Sequence, residues 1–169
     1  MPSGARRGVD AAPTTLAEGI EFMIQAGRWL MGPLQRLAGL WPGAKTLGRR
    51  GEAAAARFLK KKGYLVVAQS NRMRLGEIDL VAIDQRTIVF VEVKTRRSHD
   101  AGHPAEAVDE DKQRRLTRLA LTYLKRHHLL EYRARFDVIA VTWADDNRDP
   151  VIEHFENAFE AVGKWQLFC

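Results

Sequence analysis

Residues 76–96 have the sequence GEIDLVAIDQRTIVFVEVKTR, and this stretch decides the fold of the chain. Two runs rich in Val and Ile flank a polar Asp-Gln-Arg turn at residues 84–86, which is the pattern of a β-hairpin. Strands this apolar are expected to be buried, yet they include Asp79, Glu92 and Lys94. A buried charge is costly unless it is paired or binds a metal. These three side chains are therefore the first candidates for a functional site.

The segments on either side of the hairpin predict the remaining elements. Helical spacing and good helix formers predict one helix before the hairpin and one after it, and the second has acids in its first turn and cations in its last. The predicted elements are a helix at 48–63, a strand at 64–71, a basic turn at 72–76, a helix at 107–128 and strands at 134–143 and 151–159. This order predicts an α/β fold with an α-β-β-β-α-β core, in which helices flank a mixed β-sheet.

The first 45 residues differ in pattern from the rest. Apolar residues recur at helical spacing from residue 16 to 34, with Gly32 and Pro33 interrupting the helix. We expect residues 1–45 to form an amphipathic extension and linker that docks on the domain or on a partner, and residues 46–169 to form the domain. No run of about 18 apolar residues occurs, so no membrane span is expected.

Composition restricts the classes of partner and compartment. The chain has 169 residues, which is enough for one domain with a core and an appendage. Its 27 Lys and Arg exceed its 21 Asp and Glu, so the net charge is +6 and favours a polyanion such as nucleic acid. Cys169 is the single cysteine, which excludes an intrachain disulfide and a Cys-rich metal site and fits a reducing cytoplasm.

The charged residues of the hairpin are spaced to meet. Glu92 and Lys94 are two apart in a strand and therefore point to the same face. Asp79, on the preceding strand, approaches them across the pair, and two ionised carboxylates there repel each other. A divalent cation, Mg²⁺ or Mn²⁺, relieves that repulsion, and the lysine stabilises charge on a phosphate or orients a water nucleophile.

Each helix adds a polar group to a core-facing surface. Glu52 lies on the apolar stripe of the first helix, and Gln113 begins the stripe of the second. The alternative is purely structural: Glu92 and Lys94 form an ion pair at a solvated edge, and Asp79 caps a bend. Asp137 leaves two interpretations open, since it either assists the site or hydrogen-bonds nearby backbone.

Six arginines cluster in sequence around the candidate site and suit contacts with phosphate. Any one of them also fits a solvated surface position, so the grouping is what indicates a nucleic-acid surface. They are Arg72, Arg74, Arg96, Arg97, Arg114 and Arg115.

At these residues the chain resembles known families. GEIDLVAID followed by VFVEVKTR resembles the PD-(D/E)xK nuclease superfamily, whose fold is restriction-endonuclease-like. More narrowly, GRRGEAAAARFL, NRMRLGEIDLVA, FVEVKTR, DKQRRL, RFDVIAV and HFENAF resemble the YraN-like family of small bacterial proteins, over about residues 48–159. Ile78 stands where the superfamily usually has Pro, as in its Holliday-junction-resolvase-like branches. The resemblance implies metal binding by Asp79 and Glu92 with Glu52, and catalytic roles for Lys94 and Gln113.

Three hypotheses follow. The first is a Mg²⁺-dependent nuclease acting on DNA, including branched or structured DNA, and the resolvase-like resemblance implies a homodimer as its assembly. The second is a nucleic-acid-binding protein that retains the fold without catalysis. The third, an interaction protein acting through the N-terminal helix, is compatible with either.

Overall fold

A computed structural model describes residues 46–73, 75–97, 108–144 and 149–163. Within these ranges, two helices and five strands follow one another in the order that the sequence predicts. They are α1 (Leu47–Lys61), β1 (Leu65–Met73), β2 (Gly76–Asp84), β3 (Thr87–Arg96), α2 (Glu110–Arg126), β4 (Ala134–Thr142) and β5 (Val151–Phe159). The α/β class and the α-β-β-β-α-β order are confirmed.

The five strands form one mixed sheet in the order β1-β2-β3-β4-β5. The pairs β1–β2, β2–β3 and β4–β5 are antiparallel, and β3–β4 is parallel. Parallel neighbours need a long crossover connection, and here the connection contains α2. Helix α2 thereby covers one face of the sheet, while α1 covers the other, and the central strands are buried on both sides.

The hairpin predicted at residues 76–96 is present. Asp84 pairs with Thr87 across a two-residue turn, and Gln85 adopts a left-handed conformation with φ of +51°. Strand β1 is longer than predicted, because Met73 still pairs with Gly76 and the predicted basic turn is shortened to the connection between them.

Helix α1 packs an alanine-rich stripe on one face of the sheet. Ala54, Ala55, Ala56 and Leu59 are buried in a core cluster with Leu80, Val89, Val91, Ile139 and Val141. The helix is followed by Gly63, whose φ of +92° is a backbone conformation that favours glycine after a helix end.

Helix α2 covers the opposite face. Its N-cap residue Asp109 accepts a hydrogen bond from the Lys112 amide at 2.7 Å. Its apolar stripe packs on the second core cluster, where the rings of Tyr123 and Phe90 lie 5.7 Å apart edge to face.

Two expectations concern parts of the chain outside these ranges. The amphipathic extension at 1–45 and the domain boundary beside Lys45 lie outside the described residues. Within the ranges that the structure covers, no helix is long and apolar enough to span a bilayer.

Candidate active site

The two strands of the hairpin separate at the candidate site. Their pairing runs from Asp84–Thr87 to Leu80–Val91. One residue further along β2, the Asp79 side chain takes the place of a strand neighbour, because its Oδ2 accepts a hydrogen bond from the Val93 amide at 2.8 Å. The opening between β2 and β3 thus places a carboxylate where a ladder bond would otherwise lie.

Glu92 lies on β3 directly beside this opening. Its side chain is 6% exposed, and its Oε1 is 3.1 Å from Lys94 Nζ and 2.7 Å from Lys112 Nζ. Glu92 and Lys94 share a face, as predicted from their spacing, and that face continues the side of β3 on which Phe90 packs under α2. A buried carboxylate therefore lies between two ammonium groups, one from its own strand and one from the helix above.

The surroundings of Asp79 disfavour its charged form. Burial and the charge of Glu92 raise the pKa of Asp79 to about 7, and Glu52 adds to the effect. The Val93 amide and Lys112 act in the opposite direction. The acids on β2, β3 and α1 are therefore close enough for their charges to interact, as their sequence pattern predicts.

Glu52 reaches this region from α1. The Ser70 hydroxyl donates a short hydrogen bond to its Oε2, and Ser70 has a left-handed φ of +47° within β1. The preceding residue, Gly51, allows the helix to approach β3: a Cβ there would lie 1.8 Å from Thr95 Oγ1. The close contact between Gly51 and Thr95 positions the N-terminal half of α1 beside the ends of the central strands.

Gln113 has a different environment from the one predicted. Its Nε2 donates to the Val108 carbonyl oxygen at 2.9 Å, so its side chain fixes the segment entering α2. The preceding residue, Lys112, is the one that contacts Glu92. Sequence reasoning missed Lys112, although one signal was present: a cation in the first turn of a helix opposes the helix dipole.

The predicted arginines that the structure describes lie at several separate positions. Arg72 is exposed and pairs with Glu77 at 3.2 Å, and Arg114 pairs with Glu110 and Asp111 within α2. Arg96 at the end of β3 is half-buried, whereas Arg97 and Arg115 are exposed. Arg74 lies outside the described residues. Their role toward nucleic acid stays a prediction.

Asp137 belongs to a separate charged network on the α1 side of the sheet. It is fully buried and accepts hydrogen bonds from Arg135 at 3.0 Å and from the Asn157 amide at 2.9 Å, while His154 Nε2 lies 2.9 Å from its Oδ2. Burial alone would raise the pKa of Asp137, but these hydrogen bonds hold it below its ordinary value. Arg135 also bonds to Asp84, so the network connects β2, β4 and β5. Of the two interpretations from the sequence, the structure contains a hydrogen bond from backbone, the Asn157 amide, beside the side-chain contacts with Arg135 and His154.

Metal binding by Asp79, Glu92 and Glu52 would need only a few protein ligands. Across residues 46–73, 75–97, 108–144 and 149–163, no group of three or more His, Cys, Asp or Glu side chains converges closely enough to hold a metal ion. Mg²⁺, however, is commonly held by one or two carboxylates together with water and substrate phosphates. Asp79 and Glu92 match that requirement in chemistry, and their mutual repulsion is the strain that a cation would relieve.

Comparison with known proteins gives the family. The model of the uncharacterised protein family UPF0102 matches residues 51–141, which extend from α1 into β4. The chain belongs to this family. A UPF0102 protein of Rhodopirellula baltica is 57% identical over 120 residues, covering 69% of this chain and 72% of the relative. A UPF0102 protein of Desulfosudis oleivorans is 49% identical, covering 68% of this chain and 89% of the relative. One of Geotalea uraniireducens is 47% identical, covering 69% of this chain and 91% of the relative.

The UPF0102 match includes the whole candidate site. Glu52, Asp79, Glu92 and Lys112 all lie within residues 51–141, as do the central strands that position them. The buried network around Asp137 lies only partly within it, since His154 on β5 follows the matched region.

Proposed function

We propose that this UPF0102 protein is a divalent-metal-dependent nuclease that hydrolyses phosphodiester bonds in DNA, with branched or structured DNA as its substrate class. The observation that supports this most strongly is the opening between β2 and β3. There the Asp79 carboxylate is held by the Val93 amide beside the buried Glu92, and two lysines approach from one side. The resemblance to PD-(D/E)xK nucleases assigns its acids and its lysine to the same residues.

Asp79 and Glu92, with Glu52 nearby, would hold Mg²⁺ or Mn²⁺. The metal would act as a Lewis acid toward a phosphoryl oxygen. The bond from Val93 orients Asp79, and the short bond from Ser70 orients Glu52, so both acids are fixed by the strands around them. The charges of Glu92 and Glu52 both raise the pKa of Asp79, and a bound cation would offset this unfavourable interaction.

The two lysines supply positive charge on the side of α2. Both ammonium groups contact one oxygen of Glu92, so a phosphate that enters the opening meets two preorganised cations. Lys94 is the lysine that the resemblance assigns to catalysis, and Lys112 is a second one. In this proposal Lys94 and Lys112 stabilise negative charge that develops on the scissile phosphate.

The net charge of +6 supports a polyanionic substrate. The single cysteine supports a cytoplasmic location, and the resolvase-like resemblance supports a homodimer.

The test is a cleavage panel of single-stranded, duplex, flapped and four-way DNA with Mg²⁺, with Mn²⁺ and with EDTA. We expect metal-dependent cleavage that is lost in the Asp79→Asn and Lys94→Ala variants. Glu77→Gln is the matched control, because it removes a carboxylate from the same strand at a position paired with Arg72 on the surface. Absence of cleavage from every substrate with either metal would contradict the proposal, as would equal activity in all variants.

A second function, nucleic-acid binding without hydrolysis, is favoured by the two lysines on Glu92. Their ammonium groups already neutralise this carboxylate, so a metal would have to compete with them. A protein that binds DNA equally well with and without metal, and whose melting temperature does not respond to Mg²⁺ or Mn²⁺, would have this function.

A further inference from the structure

Helix α2 has an unusual concentration of positive charge. From residue 112 to residue 126 its sequence KQRRLTRLALTYLKR contains no Asp or Glu. The six cations in this segment are Lys112, Arg114, Arg115, Arg118, Lys125 and Arg126.

Five of these cations lie on one exposed face of the helix. At 3.6 residues per turn, residues 114, 115, 118, 125 and 126 fall within an arc of about 120°, with Thr122 in its middle. These five cations and Thr122 are exposed, whereas the opposite side of the helix is buried against the sheet. At 1.5 Å per residue this surface, the basic face of α2, is about 18 Å long.

Helix stability does not explain this arrangement. The dipole favours cations in the last turn, which accounts for Lys125 and Arg126 but not for cations in the first half. Arg114 is compensated by Glu110 and Asp111. Arg115 and Arg118 are three apart, a spacing at which like charges destabilise a helix. Helix stability therefore does not account for Arg115 and Arg118.

The basic face begins at the candidate site. Lys112, two residues before Arg114, contacts Glu92. Arg115 lies beside the first residue of β2, since a Cβ on Gly76 would be 3.8 Å from Arg115 Nε, and Asp79 follows three residues later. A polyanion bound in the opening between β2 and β3 would therefore meet the basic face where it leaves the site.

We infer that the basic face of α2 binds the phosphate backbone of DNA and directs it away from the candidate site toward the end of the helix at Arg126. This inference rests on the proposed function for its substrate class and adds the surface and the direction. Contacts from arginine and lysine to phosphates position nucleic acid without reading its sequence. Binding through this face should therefore be independent of sequence and strongly dependent on salt.

The test measures DNA binding in EDTA, so that hydrolysis plays no part. Fluorescence anisotropy with a labelled duplex and a labelled four-way junction compares the wild type with the triple variant Arg115→Gln, Arg118→Gln, Lys125→Gln. The matched control is Arg57→Gln, Lys60→Gln, Lys61→Gln, which removes the same charge from exposed positions of α1 on the other side of the sheet. Thermal melting verifies that both variants are folded.

The α2 variant should bind at least about tenfold more weakly, with the slope of log K against log salt reduced by about 2–3, since each lost phosphate contact contributes roughly 0.9. The α1 control should retain most of the affinity and of the slope. Equal losses in both variants, full affinity in the α2 variant or no binding by the wild type would overturn the inference. Binding of the wild type to vesicles containing anionic lipid but not to DNA would overturn it as well.

A second measurement tests whether the bound DNA runs along α2. In a Cys169→Ser background, a photocrosslinker on Thr122→Cys should capture DNA efficiently, and the same label on Arg57→Cys should not. The reverse pattern would refute the inference even in an active nuclease, and capture at residue 122 would support it even if no DNA is cleaved.

Discussion

Replacing Asp79 with asparagine removes one charge from the opening between β2 and β3 at nearly constant volume. The pKa of Asp79 is raised from 3.8 to about 7, which corresponds to on the order of 4 kcal/mol at about 1.4 kcal/mol per pH unit. The asparagine carbonyl oxygen can still accept the Val93 amide. The raised pKa already includes the hydrogen bond from Val93. We therefore expect the variant to regain part of this free energy, a net stabilisation of about 1–3 kcal/mol at pH 8 without metal.

The pH dependence of this gain has a definite sign. A carboxyl group whose pKa is raised on folding stabilises the native state below its unfolded value of 3.8, and this contribution is lost as the pH rises through about 7. The stability difference between variant and wild type should therefore be small near pH 4, grow up to about pH 7 and level off above it.

The assay is thermal melting of both proteins from pH 4 to 8.5, with and without Mg²⁺ or Mn²⁺. At about 4 °C per kcal/mol, the variant should melt roughly 4–12 °C above the wild type at pH 8 without metal. Metal should raise the melting temperature of the wild type and have little effect on the variant, since a ligand selective for the native state stabilises it. Glu77→Gln should behave as the wild type does.

Two results would refute the reasoning. A difference in melting temperature between the variant and the wild type that does not change with pH would show that Asp79 does not titrate as its surroundings require. A destabilised variant whose response to metal is unchanged would show that Asp79 is a structural acid and would remove the active-site interpretation.

Lys112→Met should destabilise the metal-free protein by about 1.5–3 kcal/mol, since the buried carboxylate of Glu92 loses one charged partner. It should also enlarge the rise in melting temperature that metal causes; an unchanged rise would show that Lys112 does not compete with metal. Asp137→Asn should cost about 3–5 kcal/mol in urea unfolding because it leaves the charge of Arg135 incompletely paired, and a loss below about 1 kcal/mol would contradict the network. Gly51→Ala should lower the free energy of unfolding by about 1–3 kcal/mol through overlap with Thr95, and the double variant with Thr95→Ala should recover part of this loss. Stabilisation, the ordinary outcome of Gly→Ala in a helix, would contradict the close contact.

The elements and their order could be predicted because each depends on local pattern. Alternation of apolar residues and the turn at 84–86 determine the hairpin, and helical spacing determines both helices. The shared face of Glu92 and Lys94 follows from the two-residue period of a strand alone. The proximity of Asp79 follows once the hairpin is recognised, because its turn brings the two strands together.

Residues distant in sequence needed the tertiary structure. Whether Lys112 or Gln113 faces the site depends on the rotation of α2 about its axis, which packing on the sheet determines. The bond from Arg135 to Asp84 joins residues 51 positions apart, and it exists because β4 lies parallel to β3 in one particular register. Sequence periodicity specifies which face of an element is apolar, but it does not specify which residues of two elements meet. That pairing is determined by strand register and helix packing, and it turns a set of charged side chains into one candidate site and one separate buried network.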